Sequence, residues 1–298
     1  MSSASRDWTG RSKGTPLGYR IFILVMRGMG VRAAYALLYF VAPWYVLTSN
    51  TSNRALRTYF TRVRSVRREA RGLGLLASYL SFGRSIIDKV ALQGGLSKSF
   101  TWTKQGHEHI AALMAGGSGG IVLSAHVGNW ELASHLLKGL PGSMSVVLHN
   151  GEDSGIREVV ERTKTGSFNV ITLGNDLSHV IRMDQALREG QVLCMHADRR
   201  MPGARVRTAA FLGAEADFPA GPFALAAARQ VTVCIAFVVR TGPQQYHFTC
   251  TTPMPAGSTA DAIFARYLTE LESAVLTHPM QWFNYHDFWD RANTPGHR

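Results

Sequence analysis

The apolar positions of this chain change their spacing near residue 100. Before that point they form long blocks; beyond it, short apolar runs alternate with segments of helical period. The runs 121–125, 145–149, 169–173, 191–197, 231–240 and 245–251 predict strands, and 106–115, 130–138, 155–165, 178–189, 222–229 and 259–277 predict helices. Such alternation implies an α/β fold with a largely parallel central sheet flanked by helices. Only Thr241-Gly-Pro243 separates the last two strands, which read as an antiparallel hairpin, so the sheet is expected to be mixed and mostly parallel.

The first third follows another pattern. Residues 1–18 are polar and read as an arm. Ile21-Phe-Ile-Leu-Val-Met26 is interrupted by Arg27 and Arg32, which argues against a cleavable signal. Ala33 to Leu47 is apolar for 15 residues and contains Pro43. As a helix it would cover about 22 Å against a hydrocarbon core of about 30 Å, so a helical hairpin or one slanted helix dipping into a leaflet fits better than a span. Thr48 to Asn53 reads as a turn and helix start, and Leu73 to Leu92 as an amphipathic helix. The expected organisation is a polar arm (1–18), a basic, apolar membrane-associating helical region (19–100) and an α/β catalytic domain (101–298).

Charge sharpens this division. Residues 1–100 hold 16 Lys/Arg against 3 Asp/Glu, whereas residues 101–298 hold 16 against 17. Seven arginines and one acid, Glu69, lie between Arg54 and Arg71, directly after the apolar segment. Basicity placed there points to an anionic phospholipid surface and away from nucleic acid. Cys194, Cys234 and Cys250 fall in strand-like runs without metal-ligand spacing, as packed, reduced thiols do in a cytosolic compartment.

The chemical signal is concentrated in Leu123-Ser-Ala-His126-Val-Gly-Asn129-Trp130-Glu131. On a continuous helix, residues five apart lie about 140° apart and could not meet. They can meet if His126 leaves a strand and Glu131 opens a helix, with Asn129 as N-cap. The carboxylate then orients the imidazole and stabilises it once protonated. The bland alternative is a capped helix whose histidine merely packs. Gly116-Gly-Ser118-Gly-Gly120 matches the Gly-x-Ser-x-Gly nucleophile pattern, but a helix precedes it and a strand follows, the reverse of the order an elbow needs. His107-Glu108-His109 lacks the spacing of a zinc helix and His135 lies at the wrong distance from His126, so no metal is expected.

The His-x4-Glu run resembles the His-x4-Asp/Glu motif of the glycerolipid and lysophospholipid acyltransferase superfamily, and its surroundings resemble the bacterial lipid A late-acyltransferase branch. Three further blocks follow in that family's order: Met195-His-Ala-Asp198-Arg199, Phe211-Leu-Gly213 with Phe218-Pro-Ala-Gly221-Pro222, and His278-Pro-Met-Gln281-Trp282-Phe-Asn-Tyr-His286. The likeness spans roughly residues 16 to 290. It implies an O-acyltransferase that moves a fatty acyl chain from a thioester to a hydroxyl of a lipid or glycolipid, peripheral or monotopic on the cytoplasmic face of the bacterial inner membrane. The thioester, on acyl carrier protein or coenzyme A, is a co-substrate, and no cofactor is required.

In that reading His126 is the general base and Glu131 orients it. Asn129, Trp130, Asp198, Arg199, Arg200, Phe218 and Gly221 are expected at the substrates. Asp198 is also a second carboxylate within reach of His126, and sequence alone leaves the two in competition. Arg199, Arg200, Arg205 and Arg207 form a basic cluster suited to a phosphopantetheine phosphate or an acidic carrier protein. Backbone amides around Gly128 and at the start of the 130–138 helix are the first candidates for holding the oxyanion, and an amide near Gly221 the second. Two departures bear on the acceptor. Ala220 stands where glycerol-phosphate acyltransferases carry an acid, and His149-Asn-Gly-Glu-Asp153 replaces an Arg-containing stretch common in lipid A enzymes. Trp8 to Tyr19 resembles acyltransferases that accompany aryl polyene or flexirubin synthesis. The rival readings are a lipid or thioester hydrolase and a non-catalytic basic membrane-binding protein.

Overall fold

A computed structural model of the protein describes residues 16–133, 140, 142–149, 168–174, 176–200 and 203–290. Most of the expected polar arm, residues 134–138 of one expected helix, the whole of 155–165, and Asn150 to Asp153 lie outside them.

Four helices come first: α1 (Pro16–Met29), α2 (Val31–Thr48), α3 (Asn50–Val66) and α4 (Leu75–Gln93). Gly30, with φ of +86°, breaks the apolar block between α1 and α2, a backbone state that suits glycine. α2 runs 18 residues through Pro43, longer than its pattern predicted, and by length and composition alone is able to cross a membrane. α3 is amphipathic. Leu56, Tyr59, Phe60 and Val63 are buried on one side, while Arg54, Arg57 and Arg64 face outward. Arg64 and Arg67 also donate to the carbonyls of Leu73 and Leu276, so part of the arginine run fastens the fold.

The α/β region follows as β1 (Thr101–Gln105), α5 (His107–Ala115), β2 (Gly120–Ser124), a 3-10 turn (Trp130–Leu132), β3 (Met144–His149), β4 (Phe168–Leu173), α6 (Ser178–Arg188), β5 (Val192–His196), β6 (Val206–Phe211), β7 (Ala214–Pro219), α7 (Gly221–Arg229), β8 (Thr232–Gly242), β9 (Gln245–Cys250) and α8 (Ala260–Thr277). Seven strands form one sheet in the order β1-β9-β8-β2-β5-β3-β4. Every neighbouring pair is parallel except the β8–β9 hairpin, so the sheet is mixed and mostly parallel, as the pattern predicted. Ile121, Val122 and Leu123 of β2 are all buried, as a central strand covered on both faces requires.

Three strands, β1, β6 and β7, lie outside the apolar runs of the sequence. β1 is a five-residue edge strand whose residues are mostly exposed, so it carries little apolar signal. β6 and β7 form a separate antiparallel hairpin that turns at Leu212 and Gly213, both with positive φ, as a two-residue hairpin turn demands.

Candidate active site

The register of β2 on β5 builds the site. Ser124 pairs with His196, and the Ala197 amide donates to the Ser124 carbonyl. Two residues further along each chain, His126 and Asp198 therefore stand side by side. The His126 amide donates to Asp198 Oδ2 at 3.0 Å, and His126 Nδ1 lies 2.8 Å from Oδ1.

Alternate residues of a strand face the same side, so His196 lies on the side of Asp198. Its Nδ1 is 3.2 Å from His126 Nε2, and the two rings meet edge to face at 4.2 Å. One stretch of chain thus clasps both nitrogens of the His126 ring. Trp130 stands edge-on against His196 at 4.8 Å. Burial alone would push the Asp198 carboxyl up, but His126, Arg199 and His196 beside it hold it well below the usual carboxylate range. An ionised carboxylate only accepts, so His126 Nδ1 carries a proton, and whenever the ring is neutral Nε2 presents the lone pair.

The segment Pro279–Gln281 and its successors hold the His126 loop from behind. Trp282 Nε1 donates to Asp198 Oδ2 at 3.0 Å, and the Phe283 amide donates to the His126 carbonyl. Gln281 accepts from the Gly128 amide through its carbonyl, while its side-chain amide both donates to and accepts from the Arg240 backbone. Gly128 has φ of +71°, and a Cβ there would lie 2.0 Å from the Val238 carbonyl oxygen, so only glycine fits.

Several expectations change. Nδ1 is held by Asp198, not by Glu131, whose carboxylate lies 2.5 Å from Lys89 Nζ on α4. Asn129 makes no side-chain cap and instead donates to the Ser85 carbonyl, tying the loop to α4. Arg199 and Arg200 donate to the carbonyls of Phe283 and Asp290, and Arg207 pairs with Asp261 and lies over Phe264. Each of these three arginines therefore has at least one group of the protein itself as a partner. Phe218 is 0% exposed among Phe211, Phe264 and Phe288, a core position. Gly221 stands exposed at the start of α7. Trp130 stands beside His196. Ser118 sits in the turn between α5 and β2 with its hydroxyl on the Gly116 carbonyl, which is not an elbow. The three cysteines are free.

His196 and Trp282 were quoted in motifs but given no role. The signal for His196 was its place two residues before Asp198 at a strand end. His286 also lies near this cluster; burial, then the Arg199 charge, brings its pKa down to about 3.

A cavity of about 50 Å³ lies beside His196. Trp130 and His196 border it, and Ile110, Val122, Cys194, Ala236 and Phe248 supply apolar wall. His126, His196 and Asp198 offer three ligand atoms within 4.8 Å of one another. Asp198, however, spends its oxygens on His126 and Trp282, so the three are best described as a hydrogen-bonded chain.

Over 123 residues the chain is 26% identical to a phosphatidylinositol mannoside acyltransferase of Mycobacterium tuberculosis, a match covering 41% of this chain and 39% of that relative. Residues 19–291 match the family described as bacterial lipid A biosynthesis acyltransferase, and over that span the chain belongs to this family of lipid acyltransferases.

Proposed function

We propose that this acyltransferase moves a fatty acyl chain from an acyl thioester to a hydroxyl of a lipid or glycolipid, with His126 as general base and Asp198 as its orienting partner. The observation that carries this reading is the buried Asp198 carboxylate held 2.8 Å from His126 Nδ1, with His196 between that ring and an apolar cavity. An alcohol proton needs a base as the oxygen attacks, and a neutral imidazole with its lone pair on Nε2 supplies one, typically worth 10² to 10⁴ in rate. Asp198 stabilises the imidazolium that forms. The thiolate leaves readily and takes that proton.

The cavity is well below the ~300 Å³ usual for ligand pockets. An acyl chain entering it must displace side chains along the wall. The donor is carried by acyl carrier protein or coenzyme A. Attachment to the cytoplasmic face of the inner membrane, peripheral or monotopic, would use the outward apolar side of α1 and α2, where Leu24, Met29, Phe40, Trp44 and Leu47 are exposed. The likeness of residues 8–19 to aryl polyene-associated enzymes makes a polyene-linked lipid the first acceptor to seek.

The test is lipid mass spectrometry of cells making the wild-type protein or His126→Ala. An acylated lipid present only with the wild type is expected. Identical lipid profiles, with both proteins present at equal levels, would overturn the reading.

A further inference from the structure

We infer that His196 is a catalytic residue, whose Nδ1–H donates to the oxyanion of the tetrahedral intermediate. The inference rests on His126 being the base. Its first support is the tautomer. Asp198 keeps a proton of His126 on Nδ1, so in the neutral base Nε2 is the acceptor. His196 Nδ1 lies 3.2 Å from that Nε2, and two neutral imidazoles bond there only if His196 carries its proton on Nδ1. A neutral N–H donor is therefore fixed within hydrogen-bond reach of the atom that receives the acceptor's proton.

The second support is that two of the expected backbone donors are spent. The Gly128 amide donates to the Gln281 carbonyl at 2.7 Å, and the Asn129 amide to the Val238 carbonyl at 2.8 Å. A third observation places the thioester. His196 and Trp130 border the apolar cavity, so a chain seated there brings its carbonyl to His196.

In the step itself, the acceptor hydroxyl takes the place of the His196 N–H at His126 Nε2. Its oxygen bonds the thioester carbon as its proton moves to Nε2. The carbonyl π pair becomes an oxyanion lone pair, which the released His196 Nδ1–H holds. Collapse re-forms the C=O bond, breaks the C–S bond, and returns the proton from His126 to the departing thiolate. His196 keeps one tautomer throughout.

Loss of a single oxyanion donor typically lowers kcat by 10² to 10³. His196→Phe keeps a ring against Trp130 but has no donor, and kcat is expected to fall by about that factor with KM for the acceptor little changed. His196→Asn places an amide N–H near the position of Nδ1 and is expected to recover most of the loss. Wild-type kcat in His196→Phe, or equal losses in the Phe and Asn variants, would overturn the inference. His126→Ala, assayed beside them, reports separately on the base: activity there overturns the base reading, whereas an inactive His126→Ala with a fully active His196→Phe removes the oxyanion role alone.

Discussion

Trp282 donates its indole N–H to the same Asp198 oxygen that accepts the His126 amide, so a residue near the end of the chain belongs to the setting of the base. Its ring is packed by Tyr59 at 5.1 Å, Phe288 at 4.9 Å and Phe211 at 5.5 Å. Trp282→Phe keeps most of that packing and removes one bond to a buried charge, worth about 1.5–3 kcal/mol. Turnover is expected to fall about tenfold to a hundredfold while the protein stays folded. Steady-state kinetics beside near-UV circular dichroism checks this, and unchanged turnover would separate Trp282 from the base.

The two carboxylates near His126 are expected to part company. Asp198→Asn removes the charge that stabilises the imidazolium and should cost at least 10² in kcat. Glu131→Gln disturbs the Lys89 pair, which is partly exposed, and should cost about tenfold or less. If Glu131→Gln proved the more damaging variant, Glu131 would be the principal partner and the Asp198 contact a structural one.

That contrast shows what was legible in the sequence. His126 and Glu131 are five positions apart and were found together. Asp198 lies 72 positions from His126, and only the parallel pairing of Ser124 with His196 brings it alongside. The six core strands and the order of the sheet's hairpin could be read because buried strands are nearly continuous apolar runs. β1 could not, being short and exposed. The signal of β6 and β7 is the Leu212-Gly213 turn, which lies inside the Phe211-Leu-Gly213 block. The arginines' partners could not be read from the sequence for a physical reason. Guanidinium groups suit carbonyl oxygens as well as phosphates, and Arg199 and Arg200 took carbonyls.

His286 gives a pH prediction. Its folded pKa, about 3, lies below the ordinary histidine value near 6.5. Between those values the unfolded chain binds a proton that the folded protein refuses, so stability falls as pH drops from about 6.5 toward 3, by up to about 1.4 kcal/mol per pH unit from this group. Urea unfolding of His286→Phe should show a shallower decline than wild type over that window. Parallel curves would mean that His286 titrates normally in the folded state.

Membrane attachment is expected to combine apolar insertion by α1 and α2 with attraction of arginines to anionic lipid. Arg64 and Arg67 hold backbone carbonyls, so the informative variant converts Arg54, Arg57, Arg68 and Arg71, all exposed, to Gln. Each basic residue near such a surface is worth about 1 kcal/mol, and salt screens it over about 8 Å at physiological ionic strength. Vesicle flotation should then show weaker binding to anionic vesicles and unchanged binding to neutral ones. Phe40, which is 81% exposed, and Leu47, at 76%, lie outward on α2, and converting both with Trp44 to Ser should weaken binding to both kinds of vesicle. Equal loss on both vesicles from the arginine variant would mean that those arginines serve the fold or a protein partner. Wild-type binding by the serine variant would show that α2 does not enter the bilayer.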